Sequence, residues 1–68
     1  EYVNIISGKL ALCFFVDDEL IDRVGNKVKT ITGTVTLIPG MHWLVQYNDG
    51  KTAVWLNEGF MNTFDEVM

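Results

Sequence analysis

Cysteine and histidine are almost absent from this chain of 68 residues, which contains one of each, Cys13 and His42. A single cysteine cannot form an internal disulfide, and it cannot supply half of a cysteine-based zinc site. A disulfide scaffold and a zinc-stabilised fold are therefore excluded. Because free cysteine is typical of reducing compartments, we expect an intracellular location, in the cytoplasm or nucleus.

Basic residues and long apolar runs are also scarce. Five Lys and Arg stand against nine Asp and Glu, a net charge of −4. This balance argues against nucleic-acid binding, which needs a basic face to contact phosphates. The longest apolar run, Leu10 to Val16, has seven residues. A bilayer-spanning helix needs ~20, so no membrane partner is expected.

The overall amino-acid composition is that of one small globular domain over residues 1–68. Apolar residues make up 49% of the chain and charged residues 21%, which excludes a disordered composition. So short a chain buries only ~60% of its unfolded surface. It must therefore pack densely or gain stability from a partner, and self-association into a homo-oligomer is one such route.

The first half of the chain suggests two short strands and a helix. Residues 2–6 form a predicted strand, and the run 10–16 fits either a central buried strand or two helical turns; its Phe and Val residues favour the strand. Asp17 or Asp18 is a candidate N-cap for a short helix that ends by Gly25.

The second half predicts a three-strand meander over residues 29–56. Threonines at every second position from Thr30 to Thr36 indicate one half-buried strand. A turn at Pro39-Gly40 leads to a second strand, 42–47, and Asn48-Asp49-Gly50 is a hairpin turn before a third, 51–56. The last nine residues fit a helical turn and a short closing strand. We therefore predict an all-β fold of about five short strands with one helical turn, closed into a small barrel.

Residues 25–56 resemble the SH3-like barrel superfamily and, within it, Tudor-like domains. The resemblance rests on Gly25-Asn26-Lys27-Val28, on Gly33-Thr34-Val35 and on the stretch Trp43 to Gly50. It implies binding of methylated lysine or arginine in an aromatic cage, through cation–π attraction. Tyr47 matches a cage aromatic and Asp49 the acidic residue beyond it. The strand 27–31 has no aromatic residue, and Ala53 stands where a second cage aromatic is often found.

An aromatic set on neighbouring strands is the main candidate binding surface. Trp43 and Tyr47 share one face of the second strand, and Trp55 lies on the third. Trp and Tyr are favoured binding anchors, but in so small a domain they also serve as core, and both interpretations stay open. Phe60 and Met61 extend this patch over the following turn. The candidate ligand-binding residues are Trp43, Tyr47, Asp49, Trp55 and Phe60.

An acidic cluster follows the apolar run and comprises Asp17, Asp18, Glu19 and Asp22. It lacks the spacing of a calcium-binding loop. A solvated helix cap explains the cluster, and docking of a basic partner is the functional alternative.

No pattern in the sequence indicates catalysis. A Ser-His-Asp set and a phosphate-binding glycine loop are both missing, and His42 and Cys13 fit structural positions. We therefore expect no enzyme activity, no cofactor and no metal. The leading hypothesis is an interaction module for a protein segment, including a basic or methylated one, on the aromatic strand face. The alternatives are an acidic inhibitor or DNA mimic of viral or phage type, and an assembly subunit.

Overall fold

The computed structural model describes residues 1–67, which form seven strands and two helices. In chain order these are β1 (Tyr2–Asn4), β2 (Leu10–Phe15), α1 (Asp18–Val24), β3 (Lys27–Thr30), β4 (Gly33–Thr36), β5 (His42–Tyr47), β6 (Thr52–Leu56), α2 (Asn57–Thr63) and β7 (Phe64–Glu66). The prediction of a small, mostly β protein is confirmed at this level. No helix among the described residues is long and apolar enough to cross a membrane.

Five of the strands form one antiparallel sheet in the order β6-β5-β2-β1-β7, while β3 and β4 form a separate hairpin. The last strand thus returns to lie beside the first, as barrel closure requires. Within residues 1–67, however, β6 and β7 remain at opposite edges and do not pair. The predicted closed barrel is not observed.

The threonine-rich segment is a hairpin rather than the first strand of a meander. Thr30 pairs with Gly33, and the Thr30 Oγ1 hydroxyl donates to the Gly33 carbonyl oxygen at 2.8 Å. Gly33 has a φ of 123°, a conformation that other residues rarely adopt, so the chain turns back here. The prediction of one strand was wrong. Threonines at every second position fit two short strands joined by a turn as well as one longer strand, because both arms of a hairpin have the same period of 2.

A central strand at β2 and a short helix at α1 form where the sequence predicted them. β2 is the middle strand of the sheet, and α1 begins directly after it. The Asp17 side chain caps α1, since its Oδ1 accepts a hydrogen bond from the Leu20 backbone N–H at 2.8 Å. Gly25 ends the helix with a φ of 84°.

Two apolar clusters hold the sheet, one on each face. On the face covered by α2, here called the α2 face, the cluster contains Ala11, Val45, Phe60 and Phe64. On the opposite face, Val16, Leu37 and Leu44 are buried against residues from α1, β3 and β6. This second cluster lies over β5 and β6, and among residues 1–67 no comparable layer covers the β1–β2 half of the same face.

Candidate functional site

The aromatic residues predicted as a binding face pack against one another on the α2 face. The Trp43 ring stacks on Phe60, with centroids 3.9 Å apart and planes at 4°. Trp55 meets Phe64 edge-to-face at 5.3 Å. The Trp43 indole Nε1–H donates to Asn57 Oδ1 at 2.8 Å, which ties β5 to the start of α2. These rings are partly buried and pack onto the core cluster, which fits the core interpretation of the set.

Phe60 lies in the interior and does not extend a surface patch. Its side chain is 1% exposed, between Trp43 and Phe64. The sequence suggested a turn after β6, but the chain there enters α2 at once, and a helix across the sheet directs Phe60 inward. Met61, the next residue of the helix, is exposed instead.

Tyr47 and Asp49 come together, and the chain's own Lys9 lies between them. The Lys9 ammonium is 5.8 Å from the centre of the Tyr47 ring and 3.2 Å from Asp49 Oδ2. The Lys51 backbone N–H also donates to Asp49 Oδ1 at 3.0 Å. The Lys51 hydrogen bond and then the Lys9 ammonium hold the pKa of Asp49 below its usual value. A cation is therefore already placed where the resemblance implies a methylated ligand.

The acidic cluster lies in the open on α1 and its cap, where all four side chains are exposed. Asp17 serves as the N-cap, and Glu19 pairs with Arg23 at 3.4 Å, one helical turn away. Asp18 and Asp22 make no salt bridge within residues 1–67. Helix capping thus accounts for one of the four carboxylates, and an intrahelical pair for another.

A row of exposed and half-buried apolar side chains lies on β2, on the sheet face opposite α2. Leu10, Leu12 and Phe14 alternate along this face, and Val3 of β1 is in register with Leu10. Leu12 is 54% exposed and Phe14 42% exposed, although β2 is the middle strand. We call Val3, Leu10, Leu12 and Phe14 the β1–β2 apolar face. The expectation of a buried strand was wrong for these side chains, because the layer of α1 and the hairpin ends over β5 and β6.

Carboxylates border this apolar face on two sides. On one side Asp65 of β7 is in register with Val3, so both side chains point to the same face of the sheet. At the end of β2 next to α1, Phe14 and Phe15 line a shallow depression of about 320 Å³ together with Asp17, Glu19 and Arg23. An apolar stripe with acidic flanks can bind a partner that presents the reverse, an apolar stripe with basic flanks.

Asn4 is a structural residue that the sequence did not reveal. It is buried. Its Oδ1 accepts hydrogen bonds from the Ile6 and Ser7 backbone N–H groups at 2.9 and 3.1 Å. Its Nδ2 lies 3.3 Å from the Tyr47 hydroxyl. An Asn ahead of Ser7-Gly8 is a recognisable turn signal. The link to Tyr47, 43 residues away, has no sequence signature.

The reactive residue types occupy structural positions. His42 Nδ1 accepts a hydrogen bond from the Ile38 backbone N–H at 3.0 Å. Burial raises the pKa of the Cys13 thiol to about 11, so it stays protonated at neutral pH. Across the described residues, no group of three or more His, Cys, Asp and Glu side chains is placed to hold a metal ion.

Comparisons of the chain with protein-family models, with curated proteins and with solved structures found no significant match.

Proposed function

We propose that this protein is a non-catalytic interaction module that binds a basic protein segment on the β1–β2 apolar face. The observation that carries the proposal is the exposure of Leu12 and Phe14 on the middle strand of the sheet. Contiguous apolar surface of this kind marks interaction sites in small proteins. The carboxylates on both sides of it select a partner of opposite charge.

The proposal keeps the function class indicated by the sequence and moves the binding site. Trp43, Tyr47 and Trp55 lie on the α2 face and pack with Phe60 or Phe64, so part of each ring is already covered. A methylated residue would have to displace Lys9 from Tyr47 and Asp49. The opposite face needs no such rearrangement.

The relationship to SH3-like barrels, and to Tudor-like domains among them, remains part of this proposal. It is supported by the residues 25–56 that resemble the family and by the return of β7 to the side of β1. The first two motifs of that resemblance lie in the β3–β4 hairpin, whereas the stretch Trp43 to Gly50 lies in β5 and the turn after it, in the five-stranded sheet. The single free cysteine supports an intracellular location, in the cytoplasm or nucleus.

Selection of binding peptides tests the proposed function while the partner is still unidentified. A display library of random peptides would be selected on the immobilised protein, and the retained peptides sequenced. We expect enrichment of peptides that combine several large apolar residues with a net positive charge. Enrichment of acidic peptides, or of peptides without apolar residues, would contradict the proposal.

A matched pair of variants locates the binding site. Leu12→Thr removes an exposed leucine from the β1–β2 apolar face, and Leu56→Thr removes one of similar exposure, 58%, from β6. Threonine keeps a high strand propensity, so both variants should fold, which circular dichroism would verify. We expect Leu12→Thr to weaken peptide binding about tenfold or more, ~1.4 kcal/mol, and Leu56→Thr to leave it unchanged. Equal binding by both variants would overturn the proposal.

The acidic inhibitor remains a second candidate, because Asp18 and Asp22 are exposed on α1 and make no salt bridge in the described chain. That function depends on charge alone and predicts binding that is insensitive to Leu12→Thr but steeply weakened by salt. The assembly subunit predicts self-association instead, which sedimentation of the same samples would show.

A further inference from the structure

The β1–β2 apolar face has the dimensions of a site for one helix. From Leu10 to Phe14 the apolar side chains cover four residue steps along β2, roughly 13 Å at 3.3 Å per residue. With β1 beside it, the surface is two strands wide, roughly 10 Å at 4.8 Å per strand. An α-helix is about 10 Å in diameter, and apolar residues at i, i+3 or i+4, and i+7 span roughly 10 Å along it.

We propose that the segment bound on this face is an amphipathic α-helix of two to three turns, with one apolar stripe and basic residues on both flanks. The inference rests on the proposed function and specifies the form of its partner.

Backbone hydrogen bonding favours a helix over an extended segment. β1 lies between β7 and β2, and β2 lies between β1 and β5, so both strands already have neighbours on each side. An extended segment lying flat on β1 and β2 would find no backbone groups to pair with. Its own N–H and C=O groups would lose their hydrogen bonds to water and gain none in return. A helix satisfies these groups internally.

Strand addition at the open edge of the sheet does not reach the same surface. The free edge on this side belongs to β7, a strand of three residues, and β1 separates it from β2. An added strand would therefore lie roughly 15 Å from β2, three strand spacings away, and would leave Leu12 and Phe14 exposed.

The protein itself covers its sheet with helices elsewhere. α2 packs across the opposite face through Phe60, and α1 contributes Leu20 and Ile21 to the cluster over β5. Within the part of the chain that the structure describes, the β1–β2 apolar face carries no such layer. A bound helix would complete the same arrangement.

Charge selects a basic helix over a second copy of this chain. One flank of the helix would meet Asp65, and the part over Phe14 would meet Asp17, the N-cap of α1, and Glu19, which is already paired with Arg23. Lysines or arginines on both flanks fit this arrangement. In a symmetric dimer each copy would instead bring the same carboxylates to the interface.

Synthetic peptides of equal composition test the inference. Each is about 14 residues of Leu, Lys and Ala, long enough for a helix of some three turns. One peptide has Leu at helical spacing, the second has Leu at every second position, and a third, helical peptide replaces Lys by Glu. Fluorescence anisotropy of labelled peptides gives the affinities, and NMR of the ¹⁵N-labelled protein locates the contact surface.

We expect the basic helical peptide to bind about tenfold or more tightly than the alternating one, ~1.4 kcal/mol, and to gain helical structure on binding. Leu12→Thr should reduce its affinity by a similar factor, while Leu56→Thr should have no effect. Asp65→Asn should weaken binding, and Glu58→Gln, the same charge change on α2, should not. The Glu-containing peptide should not bind.

The outcomes separate this inference from the proposed function. Tighter binding of the alternating peptide on the same face would overturn the helix and leave the proposed function standing. If Leu12→Thr does not change the affinity for the helical peptide, or if neither basic peptide binds, both the helix and the proposed function are overturned.

Discussion

Phe60 is the buried link in the α2-face aromatic cluster, with rings of Tyr2, Trp43 and Phe64 at 5.2, 3.9 and 4.7 Å. Truncation of a buried Phe to Ala typically costs about 3–5 kcal/mol. A domain of this size has a total stability of only about 3–10 kcal/mol. We therefore expect Phe60→Ala to be largely unfolded.

The milder Phe60→Leu variant keeps this prediction measurable. We expect a loss of about 1–3 kcal/mol in urea unfolding followed by tryptophan fluorescence. Met61→Ala, on the same helix but 66% exposed, should change stability by less than about 0.5 kcal/mol. Unchanged stability of Phe60→Leu would show that this cluster contributes little.

Cys13 provides a second residue-level prediction, because its thiol lies against the α2-face core. Burial raises its pKa to about 11, whereas an exposed cysteine has a pKa of about 8.5. The reactive thiolate is therefore rarer in the folded state than in the unfolded state at neutral pH.

We expect slow alkylation of Cys13 by iodoacetamide at pH 7.5, with the rate rising sharply in urea above the unfolding midpoint. Mass spectrometry measures the modified fraction over time. Equal rates in the two states would show that the thiol is accessible in the folded protein.

At the scale of elements, α1 depends on its cap, since the helix has seven residues and none of them is buried. The Asp17 carboxylate satisfies the Leu20 N–H, and loss of an N-cap costs about 0.5–2 kcal/mol. Asp17→Ala should destabilise the protein by about this amount, measured in urea.

Asp22→Ala is the matched control for this prediction. It removes an exposed carboxylate from the middle of the same helix, where no cap is lost and the like charge of Asp18 lies one turn away. We expect little change or a small gain in stability. An equal loss in both variants would assign the effect to charge and not to capping.

The β3–β4 hairpin shows where element prediction reaches its limit. The alternation of Thr30 to Thr36 correctly indicated strand geometry, and the turn at Asn48 to Gly50 was also correct. Which strand pairs with which was not predictable, because β5 takes β2 as its neighbour, some 30 residues earlier, in place of β4. Pairing between distant strands depends on side-chain packing across the whole sheet.

At the scale of the whole molecule, net charge opposes association through the β1–β2 apolar face. The chain carries a net charge of −4 at neutral pH and reaches zero near pH 4.6. At that pH the net repulsion between copies disappears, while the apolar surface is unchanged.

We expect a monomer at pH 7.5 and reversible self-association near pH 4.6, measured by sedimentation velocity. The Lys51 hydrogen bond and the Lys9 ammonium hold the pKa of Asp49 below its usual value, so its contact with Lys9 persists to lower pH than that of an ordinary aspartate. Leu12→Thr should suppress the association, and Leu56→Thr should not. A dimer at pH 7.5 would favour the assembly subunit.

The sequence by itself determined the class of structure and the local elements. Short strands, the capped helix after β2 and the turns at glycines follow from spacing and backbone preference, which act between neighbours in the chain. Composition also determined the acidic charge and excluded disulfides.

Only the tertiary structure decided which apolar residues are core and which are surface. Phe60 of α2 is buried and Trp43 and Tyr47 pack against its cluster, while Leu12 and Phe14, from a run that indicated a buried strand, are exposed. Hydropathy is the same for a buried and an exposed leucine. The difference depends on where α1, α2 and the β3–β4 hairpin come to lie, which is set by contacts between residues far apart in the chain.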